Sequence, residues 1–176
     1  MAEGTLTRTG RRERAGSGAR LEELFRANAG DALRLAYLMT GDRSLAEDLA
    51  QDAFVKVFGR FRDLRNPDAF WWYLRRTIVN LSKSHFRHRA VERSWLSKQA
   101  AGEAAPPGPD LGERDRMRRA LLTLRPEQRA AIVLRYYEDM SEVDTAEALG
   151  VAVGTVKSMV SRGMDRLREE LSRDDA

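Results

Sequence analysis

Apolar residues recur along most of this chain at intervals of three and four, the spacing of one face of an α-helix. Leu21, Leu24 and Phe25 begin the pattern, and Leu33, Ala36, Tyr37 and Leu38 continue it. Thr40-Gly41-Asp42 interrupts it: Gly41 suits a helix end, and Asp42 or Ser44 a cap for the next helix. That next helix carries Leu45, Leu49, Ala53 and Val57 on one stripe, with Glu47, Asp48, Gln51, Asp52 and Lys56 on the opposite side. Asn66-Pro67-Asp68 predicts a third start, Asn66 as cap and Pro67 at the first helical position. Phe70, Leu74, Ile78 and Leu81 form the apolar stripe of the helix that follows.

Periodicity fades over residues 94–115, which contain Gly102, Pro106, Pro107, Gly108 and Pro109. This composition predicts a flexible linker. It returns with a helix over 116–123, and Pro126 opens another. Ser141 with Asp144 three residues on resembles a capping box and predicts a short helix ending at Gly150. Gly154-Thr155 begins a last, longer helix. No segment shows the alternation of a strand, and no internal repeat is present. The expected fold is all-α: a disordered basic tail over 1–20, a helical domain over 21–93, a linker over 94–115 and a second small helical domain over 116–173.

Composition narrows the chemistry. The 176 residues contain no cysteine, which removes disulfides, thiolate metal sites and cysteine nucleophiles. The two histidines, His85 and His88, lack the carboxylates a metal site would need, so no metal and no cofactor are expected. Nucleophile-elbow, phosphate-loop and paired-carboxylate patterns are missing, so no catalytic residue is assigned. No apolar run reaches the roughly 18 residues of a membrane helix. The basic N-terminus lacks the apolar stretch of a secretory signal. Together these lead to the expectation of a soluble, cytoplasmic protein without membrane insertion.

Charge is unevenly spread. The net charge is +4, but residues 21–59 hold four cations against seven anions and residues 60–93 nine against three. An acidic block followed by a basic one suggests two partners, one of them a polyanion, although two solvated helix faces would give the same arithmetic.

Two segments give the charge a purpose. From Ser141 to Leu171, a short capped helix, the turn Gly150-Val151-Ala152-Val153 and a longer helix form a helix-turn-helix layout. Ala146 and Leu149 face inward from the first helix, Val151 packs at the turn, and Val156, Val160 and Leu167 line the inside of the second. Thr155, Lys157, Ser158, Ser161 and Arg162 project outward near its start, as a helix reading the major groove needs. In the first domain, Phe70, Trp71, Trp72 and Tyr73 are consecutive aromatics that one helix face cannot bury together. Arg75, Arg76, Asn80, Lys83, His85, Arg87, His88 and Arg89 follow. Rings that stack on bases, interleaved with cations that hold phosphates, are what single-stranded DNA binding uses. Asn80 offers a paired donor and acceptor to a base edge.

The stretches AYLMTGDRSLAEDLAQDAFVKVF and NPDAFWWYLRRTIVNLSKSHFRHR resemble domain 2 of bacterial sigma factors of the extracytoplasmic-function type. LLTLRPEQRAAIVLRYYEDMSEVDTAEALGVAVGTVKSMVSRGMDRLREE resembles their domain 4. The resemblance implies a dissociable promoter-specificity subunit that is not itself an enzyme. Its partners would be core RNA polymerase, through the clamp helices and the flap of the large subunits, and promoter DNA. An anti-sigma factor is a further partner that the family often has. Glu47, Asp48, Gln51 and Asp52 match the positions that dock on the clamp helices. Trp71, Trp72, Tyr73, Arg75, Arg76, Asn80 and Lys83 lie where the family melts the −10 element. Thr155, Lys157, Ser158, Ser161 and Arg162 match the −35 contact positions. Tyr73-Leu74 stands where many members have Trp-Leu, which leaves all three aromatics as stacking candidates. Ser161 is small where some members are bulky, so no −35 preference is carried over. From the residues alone, a standalone helix-turn-helix regulator remains open. That reading predicts a dimer and leaves the acidic and aromatic helices without purpose. A helical adaptor or enzyme has no supporting site.

Overall fold

The structure, a computed structural model, describes residues 6–61, 69–96 and 112–174. The break at Gly41 works as the sequence predicts. Gly41 takes a left-handed φ of 72°, and the Asp42 carboxylate accepts from the Leu45 N–H at 3.1 Å. Asp42, not Ser44, is therefore the cap. α1 (Leu6–Thr40) ends and α2 (Arg43–Phe61) begins within two residues. Such a short connection folds α2 back against α1. α3 (Ala69–Leu96) packs on both. The start signal Asn66-Pro67 lies outside the described residues.

Small and aromatic side chains fit these three helices together. Ala32, Leu35, Ala36 and Met39 of α1 are fully buried, facing Ala46, Ala53 and Val57 of α2 and Leu74, Ile78 and Val79 of α3. Phe25, Phe54, Phe58 and Phe70 make a chain of ring contacts at 4.8 to 6.1 Å, with Phe58 and Phe70 stacked. Offset and tilted ring pairs contribute beyond their buried area.

The C-terminal half is a second helical group: α4 (Glu113–Thr123), α5 (Pro126–Ile132), α6 (Glu142–Leu149) and α7 (Val153–Asp174). The chain leaves α5 through one wide π turn over Val133–Tyr137, closed by Glu138 N–H to Val133 O at 3.1 Å. At Gly163 the backbone of α7 lies against the Ile132 side chain of α5. A Cβ there would lie 2.6 Å from the Ile132 Cδ1.

Three expectations change in position. α1 begins at Leu6, inside the stretch expected to be a disordered tail; the stretch is free of proline, and its Arg, Glu and Leu residues are good helix formers. α3 runs to Leu96 and α4 starts at Glu113, so both helices take residues from the expected 94–115 linker. Glu113 and Asp115 favour the earlier start by complementing the helix dipole. The last helix starts at Val153, one residue before the predicted Gly154.

The two halves share one continuous apolar core rather than standing apart. Cations make the polar part of the contact. Arg129, 4% exposed, donates to Met39 O at the end of α1 and to Leu122 O and Leu124 O of its own half. Arg118 donates to Gly41 O at 3.4 Å, and Lys83 of α3 donates to Leu149 O, the last residue of α6, at 3.1 Å. Each cation thus sits at the carbonyl end of a helix or its turn from the other half, where the helix dipole is negative. Burial lowers the Arg129 pKa to about 10, which leaves it a cation at neutral pH.

Truncating Arg129 leaves its three carbonyls without their charged donor. Arg129→Ala is expected to lower the unfolding free energy by about 2–4 kcal/mol, and Arg129→Lys, with a single ammonium, by less. Urea unfolding followed by circular dichroism reads both. A loss within error for Arg129→Ala would show that the contact carries no stability.

Candidate nucleic-acid interface

The acidic side of α2 is open. Glu47, Asp48, Gln51 and Asp52 are all exposed, while Leu49, Ala53 and Val57 are buried beneath them. Val55 lies on the same open face, 65% exposed, one turn beyond Gln51 and Asp52. Sequence patterning passed over Val55 because one valine off the stripe carries no periodic signal.

The four aromatics of α3 divide by position. Phe70 is buried at 1% exposure, Trp71 and Trp72 are half-buried, and Tyr73 is 41% exposed. The Trp72 and Tyr73 rings meet edge to face at 5.0 Å. Arg75 lies over the Trp71 ring at 5.8 Å and Arg76 over Trp72 at 5.1 Å. The interleaving read from the sequence is therefore physical, with each cation stacked on a ring four residues back. Asn80 is exposed. The loop before α3 lies outside the described residues.

The cations of α3 do not all face solvent. Arg75 is paired with Glu138 of the C-terminal half at 3.2 Å, the two side chains 15% and 6% exposed. Arg76 lies 3.9 Å from Glu147, and Lys83 is turned to Leu149 O. The structure thus brings Tyr73 and Asn80 to an open surface, holds Arg75 and Lys83 against the other half, and leaves Arg76 partly exposed near Glu147.

The helix-turn-helix is built as its sequence predicts. The Ser141 hydroxyl accepts from Asp144 N–H at 3.0 Å, and α6 ends at Gly150 with a left-handed φ of 68°. Val156 and Leu167 are buried and Val160 half-buried. Thr155, Lys157, Ser161 and Arg162 are exposed on α7. Two of the candidates are engaged locally. Ser158 donates to Gly154 O at 3.0 Å, and Lys157 pairs with Glu142 at 3.3 Å. Grooves flank the helix. One, of about 290 Å³, is lined by Arg135, Tyr136, Lys157, Ser161 and Arg168. The other, of about 450 Å³, sets Arg162 beside Arg125, Gln128 and Arg166. Tyr136, 64% exposed, was not assigned from the sequence: an aromatic in an apolar helix reads as core, and the π turn rotates it outward.

No group of three metal-ligating side chains is placed to hold an ion among the described residues, and none of their helices is long and apolar enough to cross a membrane.

Residues 24–91 match the family model for sigma-70 region 2, and residues 114–167 that for sigma-70 region 4. The chain is 36% identical over 157 residues to an RNA polymerase sigma-E factor of Streptomyces avermitilis, covering 88% of this chain and 86% of that protein. It is 34% identical over 159 residues to the extracytoplasmic-function RNA polymerase sigma factor SigE of Mycolicibacterium smegmatis, covering 86% of this chain and 62% of that one. Its structure matches the sigma factor RpoE of Bartonella quintana, solved with the anti-sigma factor NepR. The TM-score is 0.71 at 27% identity, over 86% of this chain and 96% of that one.

Proposed function

Because the chain belongs to the extracytoplasmic-function sigma factors of bacterial RNA polymerase, we propose that its open acidic face, its aromatic–cation helix and its recognition helix divide promoter-specific initiation among them. The observation that carries this reading is their presence in one chain. A helix-turn-helix alone would bind duplex DNA, and only a sigma factor also needs a polymerase-docking face and a surface for an opened strand.

Glu47, Asp48, Gln51 and Asp52, with Val55 at their edge, form the docking face for the clamp helices of core polymerase. Their charge favours a cationic partner and speeds encounter, and Val55 adds the apolar anchor. Polymerase supplies the chemistry of RNA synthesis, and no catalytic residue is assigned to this chain. The second half would meet the flap of the large subunit, and an anti-sigma factor would compete for the same surfaces.

α3 opens and holds the −10 element. Flipping a base out of the stack costs a few kcal/mol, which stacking on an aromatic ring offsets. Tyr73 is the most exposed of the consecutive aromatics and Asn80 is exposed, so these two meet the strand first. Trp71 and Trp72 back them, and Arg75, Arg76 and Lys83 hold the phosphates. α7 enters the −35 major groove with Thr155, Lys157, Ser158, Ser161 and Arg162. Lys157 must leave Glu142, and the Ser158 hydroxyl is committed to its own helix, so Ser161 and Arg162 are the readiest contacts. The two elements lie about two helical turns apart, roughly 70 Å, which the two halves span only when separated.

Anisotropy with core polymerase lacking any sigma factor tests the assignment, at a stated salt concentration. Tight, saturable binding that another sigma factor displaces is expected; no binding, together with a dimer that shifts duplex DNA alone, would overturn it. Asp48→Arg combined with Gln51→Ala is expected to abolish polymerase binding while circular dichroism and duplex binding stay unchanged. Undiminished polymerase affinity would remove the docking role from α2. Arg162→Ala is expected to weaken −35 duplex binding by about 1–3 kcal/mol at one base position if the guanidinium forks onto a base. Equal weakening across all sequences would place Arg162, beside Arg125 and Arg166, on the phosphates instead.

A further inference from the structure

One residue at the outward face of the helix-turn-helix has the wrong charge for a DNA surface. Glu142 opens α6, and its carboxylate stands 3.3 Å from the Lys157 ammonium of α7, the two side chains 42% and 62% exposed. Both line the same groove as Ser161. A carboxylate beside a polyanion weakens binding to every sequence alike, unless it makes a contact that only some sequences allow.

The placement of Glu142 follows from the local fold. α6 has two acids in its first turn, Glu142 and Asp144. Asp144 is taken up by the cap: its N–H donates to the Ser141 hydroxyl at 3.0 Å, and its carboxylate accepts from that hydroxyl at 2.6 Å. Glu142 reaches across to α7 instead. The left-handed turn at Gly150 and the buried Val156 set α7 against α6 and so fix that reach. The other cations of the groove are engaged elsewhere, Arg135 on Met140 O and Arg168 on Asp165 at 2.8 Å.

Taken alone, Lys157 reaches DNA only by giving up Glu142. Taken together, the two need not part. An ammonium has three donors and a carboxylate about four acceptor sites, so each can keep the other and still meet a base. In a G·C pair the cytosine N4 donates to the guanine O6, which sets those atoms about 2.9 Å apart. Towards the major groove the O6 offers an acceptor and the N4 a second donor, side by side. A lysine nitrogen and a glutamate oxygen 3.3 Å apart present the complementary pattern, donor beside acceptor, at nearly the same spacing.

We propose that Glu142 determines specificity in the −35 element: it and Lys157 act as one unit on a single G·C base pair, Lys157 on the guanine O6 and N7 and Glu142 on the cytosine N4. The inference rests on the reading of α7 as the −35 helix. The same unit meets an acceptor and a donor on T·A, thymine O4 and adenine N6, but finds the thymine methyl where guanine has N7. A·T and C·G present the reverse order, so the ammonium faces an amino group and the carboxylate a carbonyl oxygen. A flexible lysine alone tolerates A·T through the adenine N7; the fixed carboxylate beside it does not.

Duplex DNA randomised over both promoter elements tests this. Holoenzyme, core polymerase carrying the full chain, selects from the pool, and the bound sequences are counted. The parent chain is expected to favour G·C over A·T and C·G at least about tenfold at one −35 position, with T·A between them. Glu142→Gln keeps the side-chain shape and removes the charge. It is expected to lower that preference at least about threefold, at that position alone. Exchanging the two charges, Glu142→Lys with Lys157→Glu, keeps an ion pair across the helices and is expected to invert the order, so that C·G is favoured there. A pair that only braces the two helices would be restored by the exchange with G·C still preferred, and that result overturns the proposal. A gain in affinity equal for all sequences in Glu142→Gln, with every base preference unchanged, overturns it as well, since Glu142 then only repels phosphates. No enriched −35 position with the parent chain would instead overturn the reading of α7, and this assignment with it.

Discussion

The guanidinium of Arg129 is buried where the two halves of the molecule meet, and its terminal nitrogens donate to main-chain oxygens from both. A buried cation without a carboxylate is costly unless its donors are used. Arg129 uses its two terminal nitrogens on Met39 O, Leu122 O and Leu124 O, its buried Nε has no hydrogen-bond partner among the described residues, and the guanidinium lies over the Phe86 ring at 5.2 Å. The end of α1, the turn into α5 and the middle of α3 are thereby fixed to one side chain. Only a planar fork with several donors can do this; a lysine offers one compact charge. The position of α6 against α3, and so of Glu138 against Arg75, depends on that anchor.

The helices themselves were largely legible in the sequence. Stripes such as Phe70, Leu74 and Ile78 are buried, and the caps Asp42, Ser141 and Gly150 form as their residue types require. Local rules suffice there because the interactions lie within one turn. The helix-turn-helix and the exposed acidic face were legible for the same reason. The contact between the halves was not. It is made by long cations reaching main-chain carbonyls 63 to 90 residues away in sequence, and a carbonyl has no residue identity to read. Arg75 and Lys83 have the same letters whether they face DNA or another helix. The π turn was hidden too: it shifts the register by one residue, which moves Tyr136 outward and Glu138 inward without disturbing the apolar spacing before it.

The distribution of charge acquires a physical meaning from this contact. Glu138 and Glu147 of the C-terminal half meet cations of α3 at 3.2 and 3.9 Å. The acids of α2 are different. Among the described residues Asp48 and Asp52 have no ion pair, and Glu47 pairs with the exposed Arg43. Exposed pairs of that kind contribute little, so the α2 face costs almost nothing to offer to a partner. The α3 face is the reverse. Its pairing with Glu138 is desolvated, and a buried pair is strongly disfavoured when one member is taken away alone.

A nucleic acid taken up by α3 would therefore have to replace these partners rather than simply remove them. Phosphates can replace the two carboxylates and the α6 carbonyl one for one, and their charge is at least as good for a guanidinium fork. A duplex cannot deliver them while the halves remain together, because α6 already lies against α3. The α2 face lies outside that contact and stays accessible throughout. On the roles proposed above, docking through α2 would require no separation of the halves, whereas strand capture by α3 would.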